Sequence, residues 1–262
     1  MAERYTFEDL KEIVKKLRSK DGCPWDKVQT HQSLISPLIE ESYEVVEAIQ
    51  NHDMENLCEE LGDLFLHVIF HADIASEENN FTIDDVMTTL GQKLIRRHPH
   101  IFGDIHAETP QEVKHHWESI KKQEKGYIQQ SEILKNVPTS LPALLRAYKV
   151  QQKAAHVGFD FDEIQEVMGK IEEEWLELKD ALKANEKDEI MEELGDYLFS
   201  IVNFSRFLNI NPEITLTNTI EKFINRFVYV EQTALTLGKS LEEMTLQDMN
   251  ILWEQSKKEI EP

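Results

Sequence analysis

Apolar residues in this chain recur at three- and four-residue steps, and no stretch shows polar–apolar alternation bounded by hairpin turns. Leu57, Leu61, Leu64, Phe65, Val68 and Ile69 make one such stripe; Leu194, Leu198, Phe199, Ile201 and Val202 make another. The pattern predicts helices over 7–19, 33–50, 54–76, 83–96, 110–125, 141–155, 162–183, 187–208, 213–237 and 246–260. Start signals agree with it. Thr6, Thr82, Thr109 and Thr245 are each followed three residues on by an acid that can close a capping box, and Pro110 and Pro212 suit first-turn positions. The stretch from Gly126 to Pro142 is interrupted by glycine and proline and reads as a linker. The expected class is all-α, with one helical domain over 1–125, a linker over 126–140 and a second helical domain over 141–262.

Polar positions on these helices repeat as strictly as the apolar ones. Glu40, Glu41 and Glu44 are followed by Glu60 and Asp63; Glu173, Glu174 and Glu177 are followed by Glu193 and Asp196. Each acid of the second set lies 133 positions beyond its counterpart, without insertion. Asp and Glu make up 50 of 262 residues, so a single acidic stretch would be a solvated face. Strict register is what sets these apart. Residues three apart share a helix face, so Glu41 pairs with Glu44, Glu60 with Asp63, and likewise in the second copy. The turn formers Asn51-His52-Asp53 and Ala184-Asn185-Glu186 lie between the pairs. At ~1.5 Å per residue both pairs sit ~10 Å from the turn, so an antiparallel hairpin brings four carboxylates to one level. Such a cluster repels itself unless a cation sits within it, and all-oxygen ligation favours Mg²⁺ or Mn²⁺ over iron. The acids flank the apolar stripe, which is expected to face a core. Gly62 and Gly195, at matching positions, read as points of close helix packing.

The repeat extends further. Lys93 and Arg97 correspond to Lys222 and Arg226, and Trp117 and Lys121 to Trp253 and Lys257. Cations and an aromatic plane beside a metal cluster suit a polyphosphate joined to a base. The segments Gly22–Asp26 (GCPWD) and Gly158–Phe161 (GFDF) take comparable loop positions in the two halves. His67 and His71 are replaced by Ser200 and Phe204 in the second copy and read as structural.

Composition narrows the partners. A formal charge of −22 argues against double-stranded nucleic acid. No apolar run reaches membrane-spanning length, and the N-terminus lacks an apolar signal region. Cys23 and Cys58 are too few for a disulfide framework and read as free thiols of a cytoplasmic protein. Other chemistries fail on residues. Gly238-Lys239-Ser240 ends like a P-loop but has Thr233 where glycine is needed, and the Glu112/His115 pair of a di-iron bundle is not repeated.

The doubled acid pattern, with GCPWD, Arg96–Phe102 (RRHPHIF) and the Trp-Glu helix, resembles the MazG family of nucleoside triphosphate pyrophosphohydrolases over nearly the whole chain. The resemblance implies two tandem all-α NTP pyrophosphatase domains and association as a homodimer, with helices of two subunits around each site. It also implies Mg²⁺-dependent hydrolysis of (d)NTP to (d)NMP and pyrophosphate in the cytoplasm. It puts the metal ligands at Glu174, Glu177, Glu193 and Asp196, with Glu41, Glu44, Glu60 and Asp63 as the first-copy set. Phosphate and nucleotide contacts fall on Lys170, Glu173, Glu189, Glu192, Lys222, Arg226 and Trp253. Pro37 and Asn56 stand where Lys170 and Glu189 stand in the second copy, so catalysis is expected from the C-terminal domain.

The expected mechanism is metal-assisted attack of water on the triphosphate chain, with Glu173 orienting or acting as general base. Two other classes stay open on sequence: a regulatory module that binds a nucleotide or alarmone with little turnover, and a scaffold in which the acid hairpins only set packing.

Overall fold

The computed structural model describes residues 4–124, 126–127 and 129–259. The chain divides into two compact units, one reaching Lys121 and one starting at Lys122. The first contains α1 (Phe7–Arg18), α2 (Ile35–Gln50), α3 (Met54–Glu77), α4 (Ile83–Arg97), α5 (Pro99–Phe102) and most of α6 (Pro110–Glu124). The second contains α7 (Gln130–Lys135), α8 (Ala143–Ala155), α9 (Ile164–Ala184), α10 (Lys187–Phe207), α11 (Pro212–Thr236) and α12 (Leu246–Glu259). No strand occurs among the described residues.

Ten of these helices match the expected spans to within two residues at each end. All four threonines cap as anticipated. Thr6 and Thr82 close full capping boxes with Asp9 and Asp85, and Thr109 and Thr245 accept from the backbone N–H of Glu112 and Asp248. Short elements escaped the pattern: α5, α7 and the 3₁₀ turns Asp26–Val28 and Leu241–Glu243 are too brief for periodicity to register. Helix α7 lies in the stretch expected as a linker. It packs on α8, where the Gln130 side-chain N–H₂ donates to the Lys153 carbonyl at 2.7 Å.

In the first unit α2 and α3 form an antiparallel hairpin, and α1 packs on α3 through a core of Val14, Leu34, Ile69, Phe70 and Ile74. In the second unit α9 and α10 form the equivalent hairpin and α8 packs on α10. Helices α11 and α12 close a separate small core of Val230, Ala234 and Leu252.

The apolar stripes beside the acids depart from expectation. Ile69 and Val202 are buried, whereas Leu61, Leu194, Leu198 and Phe199 are about half exposed. A two-helix hairpin has two broad faces, and α1 or α8 covers only one of them. Gly62 and Gly195 lie on the uncovered helix surface: an added Cβ meets nothing within 4 Å, so close packing within the chain does not explain them.

Candidate active site

Each acid hairpin turns on a residue in the left-handed region, His52 (φ 55°) or Asn185 (φ 58°). Asn185 is the C-cap of α9, a place where asparagine tolerates that conformation. Asp53 caps α3 by accepting from the N–H groups of Glu55 and Asn56. These short reversals set the helices in register and bring the acids level.

Carboxylate oxygens of Glu41, Glu44 and Glu60 lie within 4.8 Å of one another, as do those of Glu174, Glu177 and Glu193. Asp63 and Asp196 stand at the margin of these sets. Asp63 adds to the repulsion on Glu41 and Glu60, and Asp196 to that on Glu193. Local desolvation, then repulsion from neighbouring acids, pushes the carboxyls of Glu41, Glu60 and Glu193 above the usual glutamate value. The donors are all oxygen, crowded and held in their uncomfortable charge state by the fold. That set suits a hard divalent cation.

The second unit differs by one cation. Lys170, one turn before the acids, places its Nζ 2.6 Å from Glu174 Oε1 and 2.9 Å from Glu173 Oε1. Those hydrogen bonds raise the lysine's pKa, so it stays charged. Glu174 is buried, and Lys170 is the partner that makes its burial tolerable. Pro37 at the matching position carries no charge.

A pH test follows from the raised carboxyls. A carboxyl with a raised folded-state pKa binds its proton more tightly folded than unfolded, so its ionisation costs stability as pH rises above 4.5. Glutamine imitates the protonated form. In metal-free protein, Glu193→Gln should raise the melting temperature at pH 7 and make no difference below pH 4.5. Added Mg²⁺ should stabilise the parent more than the variant. Thermal melts at both pH values, with and without Mg²⁺, check this; a glutamine variant that melts lower than the parent at pH 7 without metal contradicts it.

Beside the second acid set lies a cavity of about 590 Å³, bordered by Lys170, Glu174 and Asp196. Its other walls come from α7, α8, α10 and the loop Gly158–Phe161, with Phe159, Phe161 and Phe199 among them. The loop is tied down by Asp160, which accepts from both terminal nitrogens of Arg206 on α10. In the first unit the corresponding loop is tied differently. Arg18 of α1 donates to the Asp26 carbonyl at 2.8 Å while binding Asp73 at 2.8 Å and Glu77 at 3.0 Å on α3.

Arg226 and Trp253 meet elsewhere in the second unit, with Lys222 one turn before Arg226 on α11. Arg226 lies with its guanidinium 5.7 Å from the Trp253 ring centre, and Phe223 packs on the same ring. The first unit repeats the pairing, with Arg97 5.2 Å from the Trp117 ring. None of Lys222, Arg226 and Trp253 lines the cavity. Glu189 sits in the first turn of α10, and Glu192 faces solvent beside Glu193, where it adds to the repulsion. His71 shares a 2.7 Å hydrogen bond with His31, and His67 is buried.

Sequence reasoning missed Gln151, Asp160, Asn203 and Arg206. None belongs to the repeated acid pattern, and the one available signal was the loop position of GFDF.

A sequence profile of the MazG nucleotide pyrophosphohydrolase domain matches residues 29–102 and 162–230. The nucleoside triphosphate pyrophosphohydrolase/pyrophosphatase MazG of Thermotoga maritima is 48% identical over 96% of this chain and 95% of its own length. The nucleoside triphosphate pyrophosphohydrolase of Escherichia coli K12 is 40% identical over 97% of both chains. An uncharacterized Bacillus subtilis protein, YabN, is 44% identical over 97% of this chain and 52% of its own length.

Proposed function

The chain belongs to the MazG nucleotide pyrophosphohydrolase family, and on that premise we propose that it cleaves (d)NTP to (d)NMP and pyrophosphate with Mg²⁺ at the α9–α10 site. It is accordingly a hydrolase acting on acid anhydrides. The observation that carries the finer reading is the crowded carboxylate set of Glu174, Glu177 and Glu193, with Asp196 at its margin and Lys170 beside it.

These four acids would hold the ion. A bound Mg²⁺, or Mn²⁺, supplies positive charge for the phosphate oxygens and makes a water at the site more acidic. The chain's own residues do the rest. Glu173 and Glu174 together hold the Lys170 ammonium, which is placed to meet a phosphate oxygen once an ion engages Glu174. With its Oε1 engaged by Lys170, Glu173 serves as an orienter of that lysine rather than as the base. Water adds at the α-phosphorus and gives up a proton to solvent, the bond from that phosphorus to the α–β bridging oxygen breaks, and pyrophosphate leaves with that oxygen. Lys222 and Arg226 offset the charge on that leaving group, and Trp253 closes the site. In a homodimer these three would come from the second subunit. The half-exposed Leu194, Leu198 and Phe199 beside the acids, and Phe223 and Phe227 on α11, support such an association.

Lacking a counterpart of Lys170, the first-unit set Glu41, Glu44, Glu60 and Asp63 is proposed as modulatory or degenerate. The described helices include none long and apolar enough to cross a membrane. The free cysteines Cys23 and Cys58 support a cytoplasmic location.

A pyrophosphate-release panel across canonical and damaged NTPs, run with Mg²⁺ and Mn²⁺, tests the proposal. Expected are metal-dependent release of one pyrophosphate per monophosphate and thermal stabilisation by NTP with Mg²⁺. Stabilisation without release would make the protein a sensor, and neither would make it a scaffold.

A further inference from the structure

We infer that the cavity beside the second carboxylate set receives the nucleobase, with Gln151 and Asn203 reading its hydrogen-bonding edge. The inference rests on the nucleotide reading above and assigns residues that neither the acid pattern nor the resemblance supplied. The cavity volume of about 590 Å³ lies within the range of small-ligand pockets, and its border with Lys170, Glu174 and Asp196 joins it to the phosphate end of the site.

Gln151 is 7% exposed and lines the cavity. Its Nε2 donates to the Phe199 carbonyl at 2.9 Å, and a carbonyl can only accept, so the amide orientation is set. That leaves Oε1 buried as an acceptor with no hydrogen-bond partner. Buried polar atoms of native proteins are nearly always paired, so an unpaired acceptor on a residue that lines the cavity marks a place for a ligand N–H. Phosphate, which offers oxygens, is the wrong partner for it.

Asn203 supplies the complement. Its Oδ1 accepts from Arg206 Nε at 2.9 Å, and Arg206 is itself held by Asp160, so the amide presents its Nδ2 as a donor. An acceptor and a donor on neighbouring helices match the adjacent donor and acceptor that every base carries on its pairing edge. Phe159 and Phe161 on the loop offer ring faces for stacking.

The first unit shows the same helix positions closed. Ser200, Asn203 and Arg206 correspond in strict register to His67, Phe70 and Asp73. His67 and Phe70 are buried, Phe70 within the core, and Asp73 is bound by Arg18. The larger His67 and Phe70 stand where the second unit has Ser200 and Asn203, so the two carboxylate sets differ in base recognition as well as in Lys170.

The test compares an NTP, ribose 5-triphosphate and inorganic tripolyphosphate. Binding is measured with a methylene-bridged, non-hydrolysable NTP analogue, and turnover by pyrophosphate release. Wild-type protein should prefer the NTP over ribose 5-triphosphate by tenfold or more. Gln151→Met should weaken analogue binding and raise KM about tenfold with kcat largely retained, the effect of one lost hydrogen bond. Asn203→Phe, which installs the first unit's Phe70, should do more, and both should leave tripolyphosphate affinity unchanged. Wild-type protein that treats NTP and ribose 5-triphosphate alike overturns the pocket while leaving the hydrolase standing. So does loss of NTP and tripolyphosphate affinity together in folded Gln151→Met. Base-dependent binding without pyrophosphate release leaves the pocket standing and overturns the hydrolase. The wild-type arm decides the matter even where a variant fails to fold.

Discussion

Glu174→Ala should lower pyrophosphate release by about 10²–10³-fold or more, with the far-UV helical signal unchanged. Glu174 is the buried member of its carboxylate set, and its oxygens lie within 4.8 Å of those of Glu177 and Glu193. Removing it would take a ligand from the proposed ion, and it takes a partner from Lys170 in the same step. The cost to folding is limited, because Lys170 keeps its 2.9 Å contact with Glu173 and loses a neighbour that needed burying. Activity and stability therefore separate, which distinguishes this residue from a packing one. The matching change Glu41→Ala should cost far less turnover, since the first set lacks a lysine counterpart. Turnover retained by both Glu174→Ala and Asp196→Ala would sink the assignment of the metal site.

Arg18→Ala carries the second large effect, and it falls on folding. The Arg18 side chain is only 2% exposed. It donates to Asp73 at 2.8 Å, to Glu77 at 3.0 Å, and to the carbonyls of Asp26 and Gln29 at 2.8 and 3.3 Å. It also lies over the Phe70 ring at 5.8 Å. Truncation leaves a mostly buried aspartate and two loop carbonyls without their donor, as well as a space in the core. A cost of about 3–5 kcal/mol is expected, the range for a buried ion pair that loses one partner. Glu77 is half exposed and contributes little to that figure. Lysine should restore only part of it, because one ammonium cannot reach four acceptors spread around a planar fork. Denaturant melts of the three proteins would measure this, and a loss below about 1 kcal/mol would show the network to be ornamental.

The two units thus surround the same hairpin differently. Around α3 the neighbouring space is closed by Arg18, Phe70 and His67, which make the first unit well packed. Around α10 it is left open beside Lys170 and the acids.

Local physics wrote most of the secondary structure into the sequence. Helix spans follow from apolar periodicity, capping threonines and turn residues, which act over three or four residues, so ten helices and both carboxylate sets were legible there. The acids meet because a fixed rise per residue and a short turn leave them nowhere else to go. What only the tertiary structure decided depends on residues far apart in the chain. Gln151 meets the backbone of Phe199, Asp160 meets Arg206, and Arg226 meets Trp253 across separations that no periodicity encodes. The stripe beside the acids has the same sequence pattern whether a neighbour covers it or not. Packing within the chain left it half exposed, because α8 and α1 cover one face of each hairpin and periodicity cannot count the faces to be covered.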